Sequence, residues 1–191
     1  MEPEQTTHDE IIVAAMKVFE RLGFARTRVE DILAAAKVSR RTYYAYFTSK
    51  EDVLAGIYAR TTKELLTAMM AAVQANDAGP LQAIYLGTDL YLNFHLESPR
   101  MLQVLLEQAM LSDSPLAVLR KGFRAQLYGL LSDAAGKPDP YIPIALVAAL
   151  EGLSHHLLEN DAGPKDIERA KQSMRLIVRQ VIGEAKVRKR A

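Results

Sequence analysis

Apolar residues recur at spacings of three and four along nearly the whole chain, and no stretch shows the strict alternation of a half-buried strand. That periodicity confines the chain to a helical assembly, because a helix with one apolar stripe is stable only when the stripe is covered. Start signals divide the pattern into elements. Thr7 with Glu10, Thr27 with Glu30 and Thr48 with Glu51 have the spacing of a capping box, in which a hydroxyl and a carboxylate satisfy backbone N–H groups at a helix entrance. Further along, Pro99, Pro115, Pro140 and Pro164 stand at or near first helical positions, where a missing N–H costs nothing, and Ser98, Ser114 and Asp139 read as N-caps. The pattern predicts an all-α chain of about nine helices, over roughly 8–22, 28–36, 39–46, 50–76, 80–97, 99–111, 115–135, 141–159 and 164–185.

Composition bounds what such a bundle does. With 191 residues and 49% hydrophobic content the chain can bury a proper core, as one domain or two small ones. Lys and Arg number 24 against 23 Asp and Glu, so no global field draws the molecule to nucleic acid or membrane and any such affinity must be local. The first five residues are acidic where a secretory signal is basic, and no apolar run approaches the roughly 18 residues of a membrane span. A cytoplasmic location with no membrane partner is expected. The absence of cysteine excludes disulfides, thiol nucleophiles and thiolate metal sites.

Charge concentrates in one place. Between Arg21 and Lys50 lie seven basic residues (Arg21, Arg26, Arg28, Lys37, Arg40, Arg41, Lys50) and two acidic ones (Glu30, Asp31). The first helix has Ile12, Ala15, Phe19 and Leu22 on one stripe and ends at Gly23, which suits a left-handed helix terminus. Val29, Ile32 and Leu33 on the second helix, and Val38, Tyr43 and Phe47 around the third, close a small three-helix core. Arg40, Arg41, Thr42, Tyr44 and Tyr46 are then left on the outer face of the third helix. These residue types contact phosphates and base edges, since Arg forks onto guanine O6/N7 and hydroxyls reach phosphate. A locally basic second and third helix in a nearly neutral chain is the footprint of a helix-turn-helix that binds double-stranded DNA.

The run Thr27-Arg28-Val29-Glu30-Asp31-Ile32-Leu33-Ala34-Ala35-Ala36-Lys37-Val38-Ser39-Arg40-Arg41-Thr42-Tyr43-Tyr44-Ala45-Tyr46-Phe47-Thr48-Ser49-Lys50-Glu51 resembles the signature of the tetracycline-repressor (TetR) family. The resemblance covers about the first 55 residues; beyond them only length and helical character are shared. It implies a helix-turn-helix DNA-binding domain over 1–52 and a helical ligand-binding and dimerisation domain over 53–191, the boundary lying inside the fourth helix. It also places Thr27 and Arg28 at a phosphate-contacting helix start and Ser39, Arg40, Arg41 and Thr42 at the leading end of the recognition helix. Tyr44 and Lys50 match the family's phosphate contacts. The chain departs from the pattern at Lys37 and Arg41, where glycines are common, and at Tyr46, where histidine is frequent. A left-handed Lys37 costs on the order of 1 kcal/mol, which is small beside core burial, so the turn is expected to form and to add a cation.

In the second part, the eighth helix is apolar nearly all round, and Ala145, Ala148, Ala149 and Gly152 give it a small-residue face. With Ile167, Met174, Ile177, Val178 and Val181 of the ninth helix, these residues form the expected homodimer interface. Two-fold symmetry implies a pseudo-palindromic operator. Polar groups on apolar stripes (Thr88, Tyr91, His95 and Gln126, with Phe123 beside them and Thr62, Met101 and His155 facing) mark a candidate pocket for an uncharged, largely apolar effector. Glu151, His155 and Glu159 share a helix face, but one helix is not a metal site. No phosphate-cradling glycine loop or nucleophile elbow occurs, so neither cofactor, metal nor catalysis is expected. The leading expectation is a homodimeric repressor released from its operator by a small ligand. A sequence-nonspecific architectural DNA binder and a helical enzyme are the rivals. Equal affinity for all duplexes, or turnover of a substrate, would distinguish them.

Overall fold

The structure is a computed structural model that describes residues 3–94, 99–136 and 139–188, with side chains described between Thr6 and Ile182 within those ranges. Among the described residues there are nine helices and no strand. They are α1 (Pro3–Leu22), α2 (Val29–Ala36), α3 (Arg40–Tyr46), α4 (Lys50–Gln74), α5 (Pro80–Asn93), α6 (Pro99–Met110), α7 (Pro115–Ala134), α8 (Tyr141–Glu159) and α9 (Pro164–Arg188). The all-α expectation holds element by element. The Ser98 cap and the end of the fifth helix at 95–97 lie outside the described residues.

The capping boxes moved. Among the described residues helix α1 runs from Pro3, so Thr7 and Glu10 lie inside the helix and not at its entrance, where the sequence placed them. At α2 the N-cap is Arg28, whose backbone N–H donates to Asp31 Oδ2 at 2.8 Å, one residue later than the Thr27–Glu30 box. At α4 the box is likewise Ser49–Asp52: Ser49 Oγ accepts from the Asp52 N–H at 3.1 Å, while Asp52 Oδ2 accepts from the Thr48 N–H at 2.9 Å. At α4 two overlapping boxes fit the sequence and packing decides between them, whereas at α2 only the carboxylate half forms, because the Arg28 side chain has no acceptor for a backbone N–H. Downstream, Ser114 accepts from the Leu116 N–H at 3.2 Å and Asp139 from the Tyr141 N–H at 2.9 Å, as N-caps do.

By contacts the chain forms two compact units, Met1–Thr61 with Arg100–Arg120, and Thr62–Pro99 with Lys121–Ala191. Helices α4 and α7 each contribute to both. The first unit packs Ile11, Ile12, Ala15 and Phe19 of α1 against Ile32, Tyr43 and Phe47, with Val53, Leu54 and Ile57 of α4 and Met101, Leu105 and Ala109 of α6 in the same cluster. Each large side chain buried here contributes about 1.5–3 kcal/mol relative to exposure.

The second unit is built on Leu65, Leu66 and Met69 of α4, Ile84, Tyr91 and Leu92 of α5, Phe123 and Leu127 of α7, and inner faces of α8 and α9. Its α9 corrects the expected interface. Ile167, Met174 and Val178 are 2%, 0% and 0% exposed and belong to the core, together with Ala170 and Ile182. The ninth helix has two apolar stripes; spacing alone does not say which one its own unit uses. Helix α8 is long and apolar enough by length and composition to cross a membrane, with mean hydropathy 1.3, closer to a span than the run of residues suggested. Its Pro143, Leu146, Val147, Leu150, Ser154 and Leu157 are nonetheless buried within the unit.

Candidate nucleic-acid interface

The α2–turn–α3 segment is shaped by local chemistry before any packing. Gly23 ends α1 at φ +75°, a conformation that its missing Cβ allows at no steric cost. Arg28 enters α2 from extended backbone, with φ −109° and ψ 159°. Acidic Glu30 and Asp31 in the first turn of α2 suit the positive end of its dipole. Lys37 ends α2 at φ 56° and ψ 35°, the left-handed lysine expected from the sequence, and the Val38 N–H closes the turn on the Leu33 carbonyl at 3.3 Å. Ser39 then caps α3: its Oγ accepts from the Thr42 N–H at 3.0 Å and pairs with Thr42 Oγ1 at 2.8 Å.

Helix α3 divides cleanly. Tyr43 is fully buried, Phe47 nearly so, and the Tyr43 hydroxyl donates to the Ser49 carbonyl at 3.0 Å, which ties α3 to the entrance of α4. Burial pushes the Tyr43 phenol well above its ordinary range, with the charges of Tyr44, Asp52 and Glu51 adding to the effect. Arg40, Arg41, Tyr44 and Ala45 are exposed on the opposite side, and Thr42 and Tyr46 are half-buried. Arg28 and Lys37 are exposed as well. Arg41 makes no ion pair among the described residues, whereas the Arg40 guanidinium is bound by the Glu30 carboxylate across the turn.

Three residues expected at the DNA face are placed differently. Thr27 is 2% exposed and its hydroxyl donates to the Gly23 carbonyl at 2.8 Å. Tyr46 packs against the core of the first unit, its ring edge-on to His8 at 6.1 Å. Lys50 turns its ammonium onto the carbonyls of Phe24, Ala25 and Thr27 at 2.9, 3.4 and 2.9 Å, above the Phe24 ring. Sequence reasoning missed both the Glu30–Arg40 pair and this lysine, because partners 10 and 23 to 26 residues away leave no local pattern.

Only part of the set expected to line a pocket falls together among the described residues. Tyr91 and Phe123 share the core of the second unit, where Thr88 is also buried with its hydroxyl donated to the Tyr85 carbonyl at 3.0 Å. Thr62 is half-buried, and His95 lies outside the described residues. Met101 belongs to the core of the first unit, and Gln126 and His155 are exposed, with His155 Nε2 3.1 Å from Glu159. Glu151 instead faces Arg124 at 3.5 Å. The expected small-residue face is different: Ala145, Ala148 and Gly152 are exposed, Ala149 is half-buried, and Ile144 and Tyr141 flank them in solvent. On α9, Ile177 and Leu176 are exposed and Val181 half-buried.

Residues 11–57, which contain this segment, match the profile of the bacterial regulatory proteins of the tetR family. The chain is 30% identical to the HTH-type transcriptional repressor NicS of Pseudomonas putida over 173 residues, 81% of this chain and 79% of NicS. It is 34% identical to the HTH-type transcriptional regulator EthR of Mycolicibacterium smegmatis over 83 residues, a match spanning 44% of this chain and 38% of EthR. The fold is similar to that of the fatty acid degradation regulator FadR from Bacillus halodurans, with TM-score 0.77 at 19% identity over 89% of this chain and 96% of that one. It is also similar to a TetR-like transcriptional regulator from Rhodococcus sp. RHA1, with TM-score 0.73 at 22% identity over 96% and 100% of the two chains.

Proposed function

The chain belongs to the TetR family of bacterial transcriptional regulators, and from that premise we propose that it is a homodimeric repressor whose hold on operator DNA is released by a small, largely apolar ligand. The observation that carries the DNA reading is the division of α3, which buries Tyr43, with Phe47 buried just beyond its end, and leaves Arg40, Arg41 and Tyr44 in solvent. Arg28, Lys37, Ser39 and Thr42 sit around the same turn and extend the polar face. Phosphate contacts by Arg28, Lys37 and Tyr44 fix register, and Arg41, unpaired among the described residues, reads a base edge in the major groove. Arg40 is shared between Glu30 and the DNA.

The exposed stripe of Ile144, Ala145, Ala148 and Gly152 on α8, with Leu176 and Ile177 on α9, supports self-association. Small side chains there let two copies of α8 approach closely, and the symmetry of a dimer calls for a pseudo-palindromic site with half-sites about one helical turn apart, or a multiple of it. The effector binds in the second unit among apolar and hydroxyl side chains, with Thr88, Tyr91 and Phe123 as first candidates. It acts by binding one conformer of α4 better than another, which shifts the population of the DNA-competent state.

The test is selection of bound fragments from the source genome, followed by affinity measurements at one salt concentration. A repressor prefers its selected site over random duplex by about 10³-fold or more. Equal affinity for every duplex would replace this reading with architectural binding.

A further inference from the structure

The ammonium of Lys50 has three N–H bonds, and the structure uses each. They donate to the carbonyls of Phe24 at 2.9 Å, Ala25 at 3.4 Å and Thr27 at 2.9 Å, and the nitrogen lies 4.6 Å from the centroid of the Phe24 ring. The ring itself is held against Phe19, with centroids 5.4 Å apart. These carbonyls belong to the irregular link between α1 and α2, where the Phe24 carbonyl also accepts from the Thr27 N–H at 3.3 Å. Other donors complete the link: Arg26 Nε takes the Leu22 carbonyl at 2.9 Å, the Thr27 hydroxyl takes that of Gly23, and the Asp31 N–H takes that of Arg28. Lys50 comes from the first residue of α4, a position where a cation is opposed by the helix dipole. That unfavourable placement is offset only because the side chain carries its charge away into a cage of carbonyls and a π face.

We infer that Lys50 is a positioning residue for DNA recognition: it ties the start of α4 to the link that sets the entrance of α2, and it does not itself contact phosphate. Resemblance to the family implies the opposite, a phosphate contact at this lysine, so the two roles can be told apart. The inference rests on the DNA-binding reading above. A lysine already donating three bonds releases no counterion when DNA binds, so its loss weakens binding without changing the salt dependence. A phosphate contact, once lost, lowers the slope of log K against log salt by about 0.9.

The experiment uses full-length Lys50→Met and Phe24→Leu, with wild type and Arg28→Ala as references. Each is titrated with a duplex selected by the wild-type protein and with a random-sequence duplex, at several salt concentrations and at a temperature where circular dichroism shows native helix content. Lys50→Met should bind the selected duplex about tenfold more weakly or worse, with the wild-type salt slope and a reduced preference over random duplex. Phe24→Leu, which removes the π face and leaves the charge, should move the same way by a smaller factor. A slope reduced by about one unit in Lys50→Met, or unchanged affinity in both variants, overturns the inference. Should Lys50→Met fail to fold, Phe24→Leu decides: weaker binding at an unchanged slope supports the clamp and wild-type binding overturns it. If wild type shows no preference for its selected duplex, the repressor reading fails, whatever the variants do.

Discussion

Helices α3 and α8 each bury one face and leave the other in solvent, and the two exposed faces have opposite chemistry. On α3 the buried side is aromatic, Tyr43 with Phe47 beyond its end, and the free side is Arg40, Arg41 and Tyr44. On α8 the buried side is Leu146, Val147, Leu150 and Leu157, and the free side is Ile144, Ala145, Ala148 and Gly152. The first leaves a cationic, hydroxyl-bearing surface that water solvates well and that phosphate and base edges complement. The second leaves a surface with little to offer water, which is stabilised by a second apolar surface. Burial thus leaves a cationic, hydroxyl-bearing face on the seven-residue α3 and an apolar, small-residue stripe on the 19-residue α8, and substitutions on each face test what it meets.

The comparison breaks most severely at the anchor of α3. Tyr43→Ala removes a fully buried ring and should cost about 3–5 kcal/mol, abolishing a cooperative melt of the first unit and duplex binding together. The milder Tyr43→Phe keeps the ring and tests the hydroxyl. Because burial raises the phenol above its reference value of 10.0, wild type should lose stability as pH rises beyond about 10, and the variant should not share that loss. Next in size, Ala148→Glu places like charges on the apolar face of α8 in both copies. Dimerisation should weaken by about a hundredfold or more in sedimentation, with helix content intact; an unchanged dimer would remove α8 from the interface. A smaller effect is expected at Arg41→Ala, about 1–3 kcal/mol of discrimination at one operator position. Uniform weakening across sequences would assign that side chain to the backbone. Smallest is Lys37→Gly, which relieves the left-handed strain and should raise the melting temperature by about 2 °C, while lowering the salt slope if the lysine reaches phosphate.

Much of this was legible in the sequence because the signals are local. The left-handed Lys37, the glycine end of α1, the Ser114 and Asp139 caps and the inward Tyr43 and Phe47 depend on neighbours a few residues away. The readings that shifted are of another kind. Thr27–Glu30 and Arg28–Asp31 overlap, as do Thr48–Glu51 and Ser49–Asp52, and the hydrogen bond from Tyr43 to the Ser49 carbonyl helps to determine the second choice from outside the pattern. Ile167, Met174 and Val178 were expected at a partner because α9 carries apolar residues on more than one side, and the unit's own core took that stripe.

By itself, then, the sequence determined the all-helical class, the helix-turn-helix and the cationic character of its outer face, since each follows from periodicity, capping chemistry and the charge of a contiguous segment. Only the tertiary structure decided which cations face outward. Arg41 remains unpaired among the described residues, Arg40 is held by Glu30, and Lys50 is folded inward onto the carbonyls of a link 23 to 26 residues earlier. The ammonium of a lysine can be solvated by water or, where carbonyls converge on it, by hydrogen bonds that offset its desolvation. Which one it meets is a matter of three-dimensional proximity that no spacing along the chain encodes.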